Sequence, residues 1–129
     1  MNVKQTYHFQ DGTSPSHHLY VVIAVDYPND RIAVVNFTTI RSSRHDRSCV
    51  LAVGDHPFIK VPSYALYSHA VVASDRHITS ISAGMLGIPV SDLLLQRLQQ
   101  GALTSQYTEP QVVELVQNYI ASNLRESTD

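Results

Sequence analysis

Tryptophan is absent from this chain, and cysteine occurs once, as Cys49. A single thiol cannot close an internal disulfide, so a disulfide-stapled scaffold is excluded. Charge is sparse too. Charged residues make up 16% and the net charge is −2 with histidine neutral, so any anion-binding site has to be local. No apolar run approaches the ~20 residues of a membrane-spanning helix. The opening Met1–His8 stretch lacks the basic start and apolar run of a secretory signal. These absences lead to the expectation of a soluble, cytoplasmic protein with no membrane partner. Glycine is limited to five residues, and no phosphate-cradling glycine loop or nucleophile elbow occurs. Nucleotide-binding and hydrolase-fold readings fall away with them. Seven histidines are present, yet no His-x-x-x-His, cysteine pair or His-Glu helix pattern accompanies them. No metal and no other cofactor is expected.

What is present organises itself around two apolar runs. His17–Val25 and Arg31–Thr39 are rich in β-branched and aromatic residues, and Asp26-Tyr27-Pro28-Asn29-Asp30 between them is a cluster of turn formers. That order predicts a β-hairpin. The apolar residues run continuously instead of alternating, so both faces of these strands should be covered, as inside a small barrel. Further strands are expected at Thr6–Phe9, Ser48–Val53, Phe58–Val61, Ser63–Ala73 and Arg76–Ile81. From Pro89 onward the period becomes helical. Ser91 is a fair N-cap, Val90 and Leu95 form a hydrophobic staple, and Gly101 is a C-terminal stop, which predicts a helix over roughly 91–101. Thr108 with Gln111 reads as a capping box for a second helix over roughly 108–124. The 129 residues suffice for one domain, 1–129, of α+β class: a small barrel over roughly 6–82 followed by two helices.

The order of these features resembles the MazF/PemK family of bacterial toxins. In that family an "R-P-V-L-V-I" strand is followed by one ending in "I-T" or "L-T", and later by "D-S-V-I-L-L-E-Q-I-R-T-I-D". The counterparts here are His17–Val22, Ile32–Thr38 and Pro62–Asp75. The match is one of hydrophobic texture over roughly residues 17–103. The resemblance implies an SH3-like barrel that forms a homodimer, cleaves single-stranded RNA without metal, and is held by a cognate antitoxin protein. It also carries the threonine that ends the second strand onto Thr38. The arginine that opens the family's first strand is replaced here by His17 or His18.

Read by their chemistry, the same residues fit that activity. Metal-free RNA cleavage needs a base, an acid and cations that stabilise the charge on phosphorus. His17 and His18 are imidazoles able to serve as base and acid. Arg41 offers a bidentate fork to phosphate, and Thr38 a hydroxyl donor. Arg44, Arg47, Thr39 and Tyr20 are candidates for holding substrate, the tyrosine by stacking on a base. Each also has a plainer reading. A histidine pair opens many a strand, three arginines in seven residues make a solvated loop, and Thr38-Thr39 are ordinary strand formers. Cys49, inside an apolar run, reads as a packed small hydrophobe. The alternative function is a non-catalytic binding module of the same fold that holds a protein or nucleic-acid partner.

Overall fold

The structure, a computed structural model, describes residues 1–9, 18–82 and 85–128, the last four of them as helix backbone. The Asp11–Ser16 turn segment and His17 lie outside the described residues. The chain is α+β: among the described residues six strands form an antiparallel sheet, and three helices accompany it. The strands are β1 (Thr6–Phe9), β2 (His18–Asp26), β3 (Arg31–Thr39), β4 (Val50–Leu51), β5 (Ser63–Ala65) and β6 (Val71–Ser74). The helices are α1 (Asp75–Ile81), α2 (Asp92–Thr104) and α3 (Pro110–Thr128). Strand order is β1-β2-β3-β5-β4 with β6 also on β3, and the path is not closed.

The central hairpin forms as its sequence predicts. β2 and β3 pair antiparallel with Val22 opposite Val34, and both are buried. A short 3-10 turn at Tyr27–Asn29 joins them, with Asp30 in the left-handed region at φ 54°. Continuous apolar runs are explained by two cores, one on each face. Leu19, Val21, Ala33, Val35 and Phe37 pack with Leu94, Leu98, Val112 and Val116 of α2 and α3. Val22, Ile32 and Val34 turn to the other face, against Tyr7 and Ile78. A bulge between Val22 and Ala24 shifts the register, so that Ile23 and Ala24 both join the helix-covered core. The carbonyl of Ile23 accepts a 2.9 Å bond from the buried amide of Gln99, which satisfies a backbone group deep in the core.

Several expected elements change, each for a local reason. The expected strand Arg76–Ile81 is helix α1: Ser74 caps it by accepting from the His77 amide, and Asp30 accepts from the Arg76 amide. The expected Ser63–Ala73 strand is broken by a 3-10 turn at Tyr67–His69, where the fully buried Tyr67 reaches the Leu98 carbonyl at 2.7 Å. Phe58–Val61 forms no strand, and Ser48–Val53 shrinks to two residues. Thr108 does not cap α3. Pro110 takes the first helical position and forces its predecessor out of the helical region, so the Glu109 carbonyl accepts from Val112 and Val113. The Thr108 hydroxyl is buried without a partner. Ser91 does cap α2, accepting from the Leu94 amide at 3.1 Å.

Gly101 does not stop α2, which continues to Thr104. A Cβ there would fall within the van der Waals shell of the Tyr67 hydroxyl and 3.0 Å from Cys49 Cβ. Alanine favours helix over glycine by about 1 kcal/mol. Overpacking of a rigid core costs about 1–3 kcal/mol, and here the clash meets a hydroxyl already committed to Leu98. Gly101→Ala is therefore expected to lower the urea midpoint, and an unchanged or raised midpoint would contradict this packing.

Candidate functional site

The hairpin strands part company at one end. Registered pairing of β2 with β3 stops at Tyr20–Asn36, although β2 begins at His18 and β3 runs on to Thr39. Beyond that point β2 pairs with β1, through His18 and Phe9, while β3 pairs with β5 through Thr38–Tyr64 and Thr39–Ser63. The divergence opens a groove of about 300 Å³ lined by His18, Phe37, Thr38, Thr39, Arg41, Phe58, Lys60, Val61 and Ser63. Four of the residues singled out from the sequence, His18, Thr38, Thr39 and Arg41, thus meet in one cavity. Arg41 is exposed two positions past the end of β3, and the Ile40 amide holds that exit by donating to the Pro62 carbonyl at 3.0 Å.

The rest of the lining, Phe58, Lys60, Val61 and Ser63, was not legible as part of a site. Its geometry depends on His56, which is buried. The His56 Nδ1 accepts from the Phe58 amide at 3.1 Å, so the proton resides on Nε2, which donates to the Ile88 carbonyl at 2.7 Å. Asp55 accepts from the Ala52 amide and pairs with Arg97 at 3.2 Å. Ile59 is buried, and its flanking neighbours Phe58 and Lys60 line the groove. Among the described residues, no carboxylate pairs with Arg41, Arg44, Arg47 or Lys60. The groove is therefore locally cationic in a chain whose net charge is −2.

Arg44 and Arg47 do not line this cavity. They sit on the loop 40–49, which is tied down independently. Arg47 donates to the Ser43 carbonyl, His45 packs against Tyr64 with ring centroids 5.4 Å apart, and Asp46 accepts from Ser48 and from Ser105. Burial alone would raise the Asp46 carboxyl, but the bonds from Ser105 and Ser48 outweigh it and hold it below the usual carboxylate range. A depressed carboxyl contributes its stabilisation in full above its unfolded value, near pH 4, and loses it as pH falls through the folded value. Asp46→Asn is expected to unfold at lower urea concentration than the parent at pH 7, with the gap closing below about pH 4. A gap that does not change with pH would contradict this role.

Tyr20 is also outside the groove. It stacks on Tyr7 at 5.3 Å and meets Phe9 edge-on, one register step inward from the opening. Beside it, the Asn36 side-chain oxygen is buried without a hydrogen-bond partner. Cys49 is buried, and burial pushes its thiol above the ordinary value, which removes it as a thiolate nucleophile. Among the described residues no group of three or more His, Cys, Asp or Glu side chains comes together to hold a metal ion. No helix among them is long and apolar enough to cross a membrane.

A larger cleft, about 740 Å³, lies against α3 and is lined by residues including Asn2, Tyr27, Asn118, Tyr119 and Asn123. Its charged lining residue, Asp26, is paired with Arg31 at 2.7 Å. Among the described residues it presents no cation and no imidazole, so of the two cavities the smaller groove is the one equipped for proton transfer and anion binding. No protein-family model, curated protein or solved structure matches the chain.

Proposed function

We propose that the protein is a metal-independent endoribonuclease of the MazF/PemK kind, acting on single-stranded RNA in the groove between the diverging strands. The observation that carries this reading is one cavity lined jointly by an imidazole, two threonines and two cations that have no carboxylate partner among the described residues. In such a site the RNA 2′-oxygen attacks the adjacent phosphorus and the bond from phosphorus to the 5′-oxygen breaks. His18 takes the proton from the 2′-hydroxyl. Arg41 and Lys60 offset the charge that builds on the phosphorane, and Thr38 donates to a non-bridging oxygen. The leaving 5′-oxygen needs a proton in return, and His17 is the residue that the sequence offers for it.

Kinship to an SH3-like barrel, here with an open strand path, a homodimeric state and capture by an antitoxin protein belong to the same proposal.

A second reading, a binding module without catalysis, is favoured by one observation. Among the described residues a single imidazole lines the groove, whereas the cleavage moves two protons. Incubation of the purified protein with single-stranded RNA in excess EDTA separates the two. Products ending in a 2′,3′-cyclic phosphate support the nuclease; intact RNA that remains bound supports the module.

A further inference from the structure

The groove wall built by residues 56–60 has a feature that phosphate chemistry does not use. Phe58 is a large aromatic side chain left 37% exposed at the cavity, between Pro57 and the buried Ile59. It is also held in place. His56 fixes the Phe58 amide, Ile59 seats the next residue in the core, and His8 meets the Phe58 ring edge-to-face at 5.8 Å. Two residues on, Lys60 lines the same cavity without a carboxylate partner among the described residues. In a nucleotide one sugar joins base and phosphate, so a ring and a cation on one short rigid loop suit the two together. Aromatic rings hold single-stranded bases by stacking, and cations hold the adjoining phosphate.

We infer that Phe58 is the base-stacking platform of the groove and Lys60 the cation for that nucleotide's phosphate, so that the site takes an unpaired nucleotide and excludes a base-paired one. This inference rests on the RNA reading above and extends it from the reacting phosphate to the neighbouring base. His56 is the positioning residue of the platform and touches no substrate.

The test is fluorescence binding of a short single-stranded RNA with 2′-O-methyl riboses, which cannot be cleaved, carrying one 2-aminopurine base. Phe58→Leu keeps apolar bulk and removes the ring, and the exposure of Phe58 keeps the cost to folding small. It is expected to weaken binding about tenfold and to abolish the stacking quench of the 2-aminopurine. Phe58→Trp should keep both affinity and quench. Lys60→Gln should weaken binding and lower the salt dependence by about one phosphate contact. Phe58→Leu binding as tightly as the parent, with Arg41→Ala still weakening it, would overturn the platform and leave the RNA site standing. A parent protein that binds no RNA would overturn both.

Discussion

His18→Ala is expected to slow cleavage of single-stranded RNA by ~10²- to 10⁴-fold, the usual contribution of a positioned general base. The size follows from how the residue is held. His18 opens β2 and is registered against Phe9 of β1, so its backbone is fixed on one edge by the sheet. On the other edge pairing with β3 has ended, and that gap is where its side chain lines the cavity with Thr38 and Arg41. RNA affinity should change much less than the rate, because a proton acceptor acts in the transition state and contributes little to ground-state binding. His18→Gln keeps a hydrogen-bonding side chain of similar reach and cannot shuttle a proton, so it should be nearly as slow as alanine. A double variant at His17 and His18 should be slower still. Full activity in His18→Ala would remove the residue from the chemistry.

Arg41→Ala should cost ~10²- to 10³-fold in rate, the scale seen when a preorganised donor to developing charge is removed. Among the described residues no carboxylate pairs with Arg41, and Asp46 and Asp55 are bonded elsewhere, Asp46 to Ser48 and Ser105, Asp55 to Arg97 and the Ala52 amide. Its position at the exit of β3 is stabilised by the latch between Ile40 and Pro62, which sets the guanidinium beside the strand end. Arg41→Lys retains the charge and loses the planar fork, and should fall between parent and alanine. Arg44→Ala and Arg47→Ala form the internal control. Both arginines belong to the same loop, neither lines the cavity, and each substitution should leave the rate little changed. Equal losses at all three positions would point to a diffuse electrostatic effect of the loop.

The sequence reveals half of this groove, and the reason is locality. A hairpin is legible because a β-branched run, a turn cluster and a second run lie next to each other in the chain. The strand end at Thr38-Thr39 is legible because apolar residues give way abruptly to Arg41–Arg47. Phe58 and Lys60 are not legible, since their place is fixed by His56 reaching the carbonyl of Ile88, 32 residues away. The same holds for Tyr67. Nothing local says that it will break a strand to find Leu98, or that Gly101 serves that approach and not the end of a helix. Helix α1 is the opposite case. Ser74 and Asp75 are an N-terminal signal in plain sight, overridden in a strand reading by the apolar residues before them. Pro110 likewise announces the start of α3 two residues after the expected cap, through the restriction it places on Glu109.

The central claim is that RNA occupies the gap between the diverging strands, and titration followed by backbone amide NMR tests it most directly. A 2′-O-methyl single-stranded RNA is added to the isotope-labelled protein in excess EDTA, so that neither cleavage nor metal contributes. The expected shifts are concentrated at His18, Thr38, Thr39, Arg41, Phe58 and Lys60, with Asn118, Tyr119 and Asn123 of the larger cleft unmoved. Shifts centred on Asn118, Tyr119 and Asn123, with His18 and Arg41 unmoved, would contradict the account.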